Sequence, residues 1–317
     1  VKPEINWNGV YTNFLFQTTL APETCFKDIL SLEPGGLMVL NIENNSFEKE
    51  KYWILNSKID SEISEDFAAK KIDELLSKSV KEQLYADVPV TSMMSGGIDS
   101  TLITSKAKPF KSDVNAFTIQ YKFSEDEVKN ASLVASELKI KHHIKTVSDD
   151  EVLADLKENI QHFEEPYSSL EVLMNAAEYA KSLGFKVVLS GNGADELFAG
   201  YSHTLKLKKW LLWKNFNFIK NFIFTKDPFS ERVKNYFSQD SMFDFFRQSQ
   251  VGMKPSEAAN VFKYDIFKTV NTDFTKFQLS ETKNYSAYFE YDMKYSLSSH
   301  HVYRDDLSAM KYGVEFR

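Results

Sequence analysis

The sequence predicts an α/β protein: a parallel sheet with helices on both faces, followed by a helical C-terminal part. Three observations carry this. Between residues 64 and 189, short β-rich apolar runs alternate with amphipathic helical runs, whereas beyond about residue 200 the strand signals stop and the pattern turns helical and aromatic-rich. Two of the strands run straight into Ser-Gly turns, Ser95-Gly96-Gly97 and Ser190-Gly191. Strand–helix alternation implies right-handed crossovers, and ligands in such sheets bind at the carboxyl ends of the strands. The 317 residues are enough for about two domains.

Residues 1 to 57 read as strand and loop, with a turn at Glu33-Pro34-Gly35-Gly36 and a hairpin made by Leu37–Ile42, an Asn44-Asn45 turn and Phe47–Leu55. Ser64 is an N-cap for a helix over 64–85, because Phe67, Ile72, Leu75, Leu76, Val80 and Leu84 follow helical spacing. The order that follows is strand Val88–Met94, helix from Asp99, strand Ala116–Tyr121, helix 125–139, strand His143–Val147, helices 150–163 and 169–183, and strand Lys186–Leu189. In the last third, Trp210-Leu211-Leu212-Trp213 with Phe216, Phe218, Phe222 and Phe224 reads as core and interhelix packing, without chemistry.

Composition excludes several classes. Lys and Arg number 38 against 45 Asp and Glu, a net charge of −7, so there is no basic field to hold a nucleic-acid backbone. With 43% hydrophobic residues the chain can bury a core, which excludes global disorder. The single cysteine, Cys25, allows no intrachain disulfide and no Cys-rich zinc site, and fits a reducing cytoplasm. No stretch approaches the roughly 18 apolar residues of a spanning helix, and no signal peptide opens the chain, so no membrane association is expected. The chain starts at Val1 rather than Met and reads as either processed or a piece of a longer product.

Chemistry concentrates in two loops. In Ser95-Gly96-Gly97-Ile98-Asp99-Ser100, the glycines let the backbone approach an anion, and the first N–H groups of the following helix point at it. It is a phosphate cradle without the Lys of a GxxxxGK[ST] loop. An ordinary strand-to-helix turn is the alternative. At the end of the Lys186–Leu189 strand, Ser190-Gly191-Asn192-Gly193-Ala194-Asp195-Glu196-Leu197-Phe198-Ala199-Gly200-Tyr201 repeats the Ser-Gly turn and adds two adjacent acids. If both strands lie parallel in one sheet, Asp99 and Asp195 can share a magnesium ion, which favours one or two carboxylates plus phosphate oxygens. Simple helix capping by these acids is the alternative.

The first loop resembles the pyrophosphate loop of the ATP pyrophosphatases, and Ser190-Gly191-x-Gly193-x-Asp195-Glu196-Leu197-Phe198-x-Gly200-Tyr201 resembles the second signature of the asparagine synthetase family. Phe117-Thr118-Ile119, His142-His143, Glu165-Pro166 and the Arg304–Arg317 segment match the same family. The resemblance implies an adenine nucleotide alpha-hydrolase-like fold over 58–317. It also implies that 1–57, with Phe26-Lys27-Asp28-Ile29, Leu32-Glu33-Pro34-Gly35 and Tyr52-Trp53, is the end of an N-terminal glutaminase domain. Cys25 does not match the family's glutaminase nucleophile, so this chain is expected not to hydrolyse glutamine.

The implied chemistry is adenylation of aspartate by Mg-ATP with loss of pyrophosphate, then attack by ammonia, drawn from glutamine in the full-length protein, to give asparagine and AMP. By position, Ser95, Gly96, Gly97, Asp99 and Ser100 hold the phosphates, while Met94, Ile119, Ser190 and Gly191 line the adenosine site. Asp99 and Asp195 bind magnesium. Asp195, Glu196, Arg304 and Asp306 form the catalytic set, Glu196 for structure or substrate positioning and Arg304 with Asp306 on the far wall. The resemblance admits a homodimer.

Two departures bear on substrate. Asn192 stands where the best-known asparagine synthetases carry a Glu, and an amide is no general base; Leu307 replaces a common basic residue. The chain also stops at Arg317, before the segment in which the family supplies a catalytic Lys. His142-His143 and His300-His301 are not expected to bind metal, since adjacent strand residues point to opposite faces and no third ligand is evident; Glu125-Asp126-Glu127 reads as an acidic helix start. One distant cysteine and the negative charge exclude tRNA-thiolating relatives, and NAD and GMP synthetases share only the first loop. Three readings stand: asparagine synthetase, an amide- or lactam-forming relative acting on another carboxylate, and a non-catalytic ATP-binding domain.

Overall fold

A computed structural model of the chain describes residues 2–56, 62–122, 124–154, 156–166, 171–213, 242–249, 252–253, 255–270 and 285–317. Phe216, Phe218, Phe222 and Phe224 lie outside the described residues. The chain forms two compact units, Val1–Ile59 with Asp195–His300, and Asp60–Ala194 with His301–Arg317.

The second of these is the expected α/β unit. Its helix α2 (Glu65–Gln83) starts where sequence places it, with the Ser64 hydroxyl accepting from the Phe67 N–H at 3.3 Å. Numbering strands along the whole chain, the sheet consists of β3 (Val90–Met93), β4 (Asn115–Gln120), β5 (Lys141–Thr146), β6 (Val187–Leu189) and β7 (Glu315–Phe316). It is parallel throughout, in the order β5-β4-β3-β6-β7. The helices between are α3 (Ile98–Ala107), α4 (Glu125–Leu138), α5 (Asp149–Ala154), α6 (Leu156–Phe163) and α7 (Glu171–Ser182). The short edge strand β7 was not expected from sequence; two residues carry no periodicity to read.

Alternation along the strands covers both faces. Phe117, Ile119 and Val188 pack with Ala176 and Ala180 of α7 and with Ala309 of the helix Tyr303–Tyr312. On the other face, Val90, Val187 and Leu189 meet Val80 of α2 and Ala107 of α3, while Met94 and Ala116 meet Ala131 and Ala135 of α4. Strands buried on both sides read as near-continuous apolar runs, which is why β4 and β6 were legible.

Topology then fixes where a ligand can sit. The chain leaves β3, builds β4 and β5 on one side, and returns to place β6 on the other side of β3. The crevice between β3 and β6 is therefore the topological switch point of the sheet. The loops following these two strands are the two Ser-Gly loops.

The other unit begins with helix α1 (Trp7–Phe16), in a stretch where sequence suggested strand and loop. Asn6 caps it by accepting from the Asn8 N–H at 3.1 Å. Tyr11, Leu15 and Phe16 of α1 pack into one aromatic core with Trp210, Phe245, Phe246, Tyr288 and Tyr291. The hairpin is present as β1 (Gly36–Asn41) and β2 (Ser46–Lys51), an antiparallel pair closing Asn41 on Ser46. Nearly all its residues are exposed on both faces. Late in the chain the run Asp292–Val302 winds as a π-helix before Tyr303–Tyr312. No described helix is long and apolar enough to cross a membrane.

Phe117 is fully buried at the centre of the sheet. Phe117→Ala is expected to cost about 3–5 kcal/mol in urea unfolding; a loss below about 1 kcal/mol would show that this face is not the packed core described.

Candidate active site

The first loop leaves β3 at Met94, whose side chain is fully buried. Its hydroxyls close it on itself: the Ser95 N–H donates to Ser100 Oγ at 3.1 Å, the two serine hydroxyls are 3.1 Å apart, and the Gly97 N–H donates to Ser95 Oγ at 3.4 Å. Gly96 has φ +78°, and a Cβ there would lie 2.6 Å from the Glu127 carbonyl oxygen of α4. Glycine is needed both for the turn and for the contact with α4. Helix α3 then starts at Ile98 with no side-chain hydrogen bond on its N-cap, Gly97. Ser95, Gly97 and Ile98 are exposed, so the open end of the helix faces solvent, as an anion cradle requires.

The second loop is held from the sheet edge and pressed onto the first. The Ser190 N–H donates to the Arg317 carbonyl at 2.8 Å. A Cβ on Gly191 would lie 2.8 Å from the Ser100 nitrogen and 3.1 Å from Asp99 Cβ. The two Ser-Gly loops are thus in backbone contact at the N-terminus of α3. Asn192 donates from Nδ2 to Asp305 Oδ2 at 2.5 Å, and Asp305 is buried on the helix Tyr303–Tyr312.

Glycine at 200 has a comparable cause, in the other unit. Helix α8 (Ala194–Phe198) carries Asp195 and Glu196 in its first turn. A Cβ on Gly200 would lie 1.8 Å from Asp195 Oδ1, so any side chain there would displace the Asp195 carboxylate. Glu196 is 1% exposed and accepts from the Tyr201 hydroxyl at 2.5 Å. Burial and this carboxylate hold the Tyr201 hydroxyl protonated well above the ordinary tyrosine range. Asp292 is pushed up to about 7 by burial and by the charges of Glu196 and Asp195, against an opposing influence of the nearby Ser296 hydroxyl. His203, stacked on Tyr201 at 5.1 Å between centroids, is lowered to about 4 by burial and then by Lys206.

The Asparagine synthase family model matches residues 71–317. The chain belongs to the asparagine synthase family. The glutamine-hydrolyzing asparagine synthetase 1 of Bacillus subtilis is 32% identical over 205 residues, covering 63% of this chain and 32% of that protein. Asparagine synthetase 2 of the same organism is 30% identical over 208 residues, covering 60% of this chain and 27% of that protein. The amidase chyE of Penicillium rubens is 29% identical over 201 residues, covering 56% and 30%. The chain spans about a third of the length of these curated relatives.

Within this family member, Ser95, Gly96, Gly97, Asp99, Ser100, Ser190 and Gly191 lie on the two loops that leave β3 and β6, with Gly191 against Asp99 and Ser100, while the Met94 side chain packs in the core with Ala116, Ala131 and Ala135. Ile119 lies on β4 with its side chain in the sheet core. Asp195 and Glu196 stand on α8. Arg304 is buried and Asp306 exposed on the helix Tyr303–Tyr312. The residue missed by sequence reasoning is Asp305, the partner of Asn192. Its signal was helical phase, since Asp305 lies four residues before the buried Ala309 and one after Arg304. His142-His143 and His300-His301 gather no cluster fit for a metal among the described residues.

Two measurements probe this geometry. Gly191→Ala is expected to lower stability by about 1–3 kcal/mol through overpacking, whereas Gly97→Ala, whose Cβ meets only Ser95 Oγ at 3.4 Å, stays within about 1 kcal/mol; equal losses in thermal unfolding would contradict the loop contact. The buried cluster predicts opposed pH slopes. A raised Asp292 destabilises the fold as pH rises from about 4 to about 7, while a lowered His203 destabilises it as pH falls from about 6.5 to about 4. Relative to the unaltered chain, Asp292→Asn should therefore gain stability as pH rises through its window and His203→Phe as pH falls through the other. Urea unfolding at about pH 4.5 and about pH 7 reads both; pH-independent differences would count against these environments.

Proposed function

We propose that this chain is the synthetase part of an ATP-dependent amide-forming ligase. It activates a carboxylate by adenylation with release of pyrophosphate, and then passes the acyl group to ammonia. The observation carrying this reading is the contact of the two Ser-Gly loops over the uncapped N-terminus of α3. Membership of the asparagine synthase family supports it, and L-aspartate is the first substrate to test. In the full-length protein the ammonia would come from glutamine.

The work of the chain is electrostatic and positional. The N–H groups at the start of α3 bind the phosphates and meet the charge that grows on departing pyrophosphate, on a loop held in shape by the Ser95 and Gly97 backbone bonds. Ser100 holds the loop in shape through its bonds to Ser95. Met94 and Ile119, with Ser190 and Gly191, are assigned to the adenosine side. Asp99 and Asp195 are the carboxylates assigned to magnesium, and Gly200 leaves room for the Asp195 carboxylate in the position described. The hard donors suit that ion, which supplies Lewis-acid neutralisation of the polyphosphate. Glu196, buried and bonded to Tyr201, is assigned to holding α8 rather than to proton transfer. Arg304 and Asp306 remain assigned to the substrate wall.

A second reading concerns the carboxylate. Asn192 offers an amide, bonded to Asp305, where an acid would offer a base, and this favours a carboxylate other than aspartate. The similarity to an amidase fits a spread of substrates among relatives.

The deciding experiment is pyrophosphate release from Mg-ATP, with and without L-aspartate, with ammonium and then glutamine as nitrogen source. Aspartate-dependent release with asparagine formed establishes the first reading. ATP binding without aspartate-dependent release moves the reading to another carboxylate or to a non-catalytic domain. Asp99→Ala and Asp195→Ala are each expected to lower release by at least about 100-fold; retained turnover in either would remove it from the magnesium site.

A further inference from the structure

A line of hydrogen bonds runs through the α/β unit to the point where the first loop departs. Ser132 Oγ of α4 lies 3.3 Å from His142 Nδ1. On the far side of the ring, His142 Nε2 is 2.8 Å from Thr118 Oγ1 of β4. The Thr118 hydroxyl donates to the Met94 carbonyl oxygen.

Proton counting fixes the direction of this line. The single Thr118 proton goes to Met94, so Thr118 Oγ1 accepts from His142 Nε2–H. The Nδ1 lone pair then accepts from Ser132. The neutral ring this requires is the one favoured, because burial, and next the neighbouring His143, hold His142 below the ordinary histidine range. Thr118 is 3% exposed and Met94 fully buried, so water does not compete for these groups.

The last link grips a particular peptide plane. The Met94 carbonyl and the Ser95 N–H belong to one planar unit. Thr118 holds its oxygen, and Ser100 Oγ accepts from its N–H at 3.1 Å. The Met94 N–H is also engaged, donating to the Phe117 carbonyl at 2.9 Å. Rotation of that plane would re-aim Gly96 and Gly97, the residues whose backbone forms the cradle.

We infer that His142 is a positioning residue for nucleotide binding: acting through Thr118 on the Met94 carbonyl, it fixes the peptide plane from which the first loop departs. The inference rests on the reading that this loop holds the phosphates of ATP. His142 itself touches neither loop residue nor nucleotide in this assignment.

The test is calorimetric titration of the 317-residue chain with Mg-ATP, alongside thermal unfolding of each variant. Binding by the unaltered chain comes first; its failure overturns the ATP reading and this inference together. With binding present, His142→Leu and Thr118→Val are each expected to raise Kd about tenfold, the size of one lost buried hydrogen bond. The double variant should be no weaker than either single one, because both cut the same line. His142→Gln places an amide N–H close to the position of Nε2 and is expected to restore Kd to within about threefold, while the shorter His142→Asn does not. Unchanged Kd in Thr118→Val, additive losses in the double variant, or equal weakening by Gln and Asn would each overturn the inference while leaving the ATP reading intact. Thr118→Val, nearly isosteric, keeps the test decisive if His142→Leu does not fold.

Discussion

The parallel pairing of β3 with β6 is the constraint on which the rest depends. Val90, Thr91 and Ser92 lie beside Val187, Val188 and Leu189, so the chain emerges from both strands at the same level and in the same direction. Everything chemical in the α/β unit follows from that coincidence of ends. Parallel strands need long crossovers, and the crossovers here are the helices that bury both faces of the sheet. The same segments that make the sheet stable therefore bring together loops nearly a hundred residues apart in sequence. Gly191 is what lets them close to backbone contact.

The chain treats its acids in two ways. Asp99 stands half-buried in the first turn of α3, where a carboxylate is favoured by the helix dipole. Glu196 and Asp292 are buried in the other unit, where Glu196 takes the Tyr201 hydroxyl and burial with the neighbouring acids pushes Asp292 up. The first keeps contact with solvent; the others are enclosed. Asp195, beside Glu196 in sequence, lies so close over Gly200 that a side chain there would displace its carboxylate.

Legibility in the sequence followed physical cause. The strands and helices from α2 to β6 were readable because the helices carry an amphipathic period, the buried strands read as near-continuous apolar runs, and glycine marks both functional turns. Helix α1 was not: Trp7-Asn8-Gly9-Val10-Tyr11 combines glycine, a β-branched residue and aromatics, weak helix formers whose helix is made by burial against Trp210 and Phe262. The π-helical run from Asp292 has no period that a scan for helix or strand would detect. In the candidate site, the glycines and serines were legible as local turn chemistry. The Asp305 contact to Asn192 and the Ser132–His142–Thr118 line were not, because they join residues by tertiary packing alone.

The β1–β2 hairpin has a consequence of another kind. Leu37, Met38, Val39, Leu40 and Phe47 are all more than 40% exposed, and a two-stranded ribbon with neither face covered draws almost no stability from burial. Its backbone amides should exchange with deuterium far sooner than those of β3, β4 and β6. Its unpaired strand edges are templates for strand addition, so at high concentration this ribbon offers copies of the chain a place to pair.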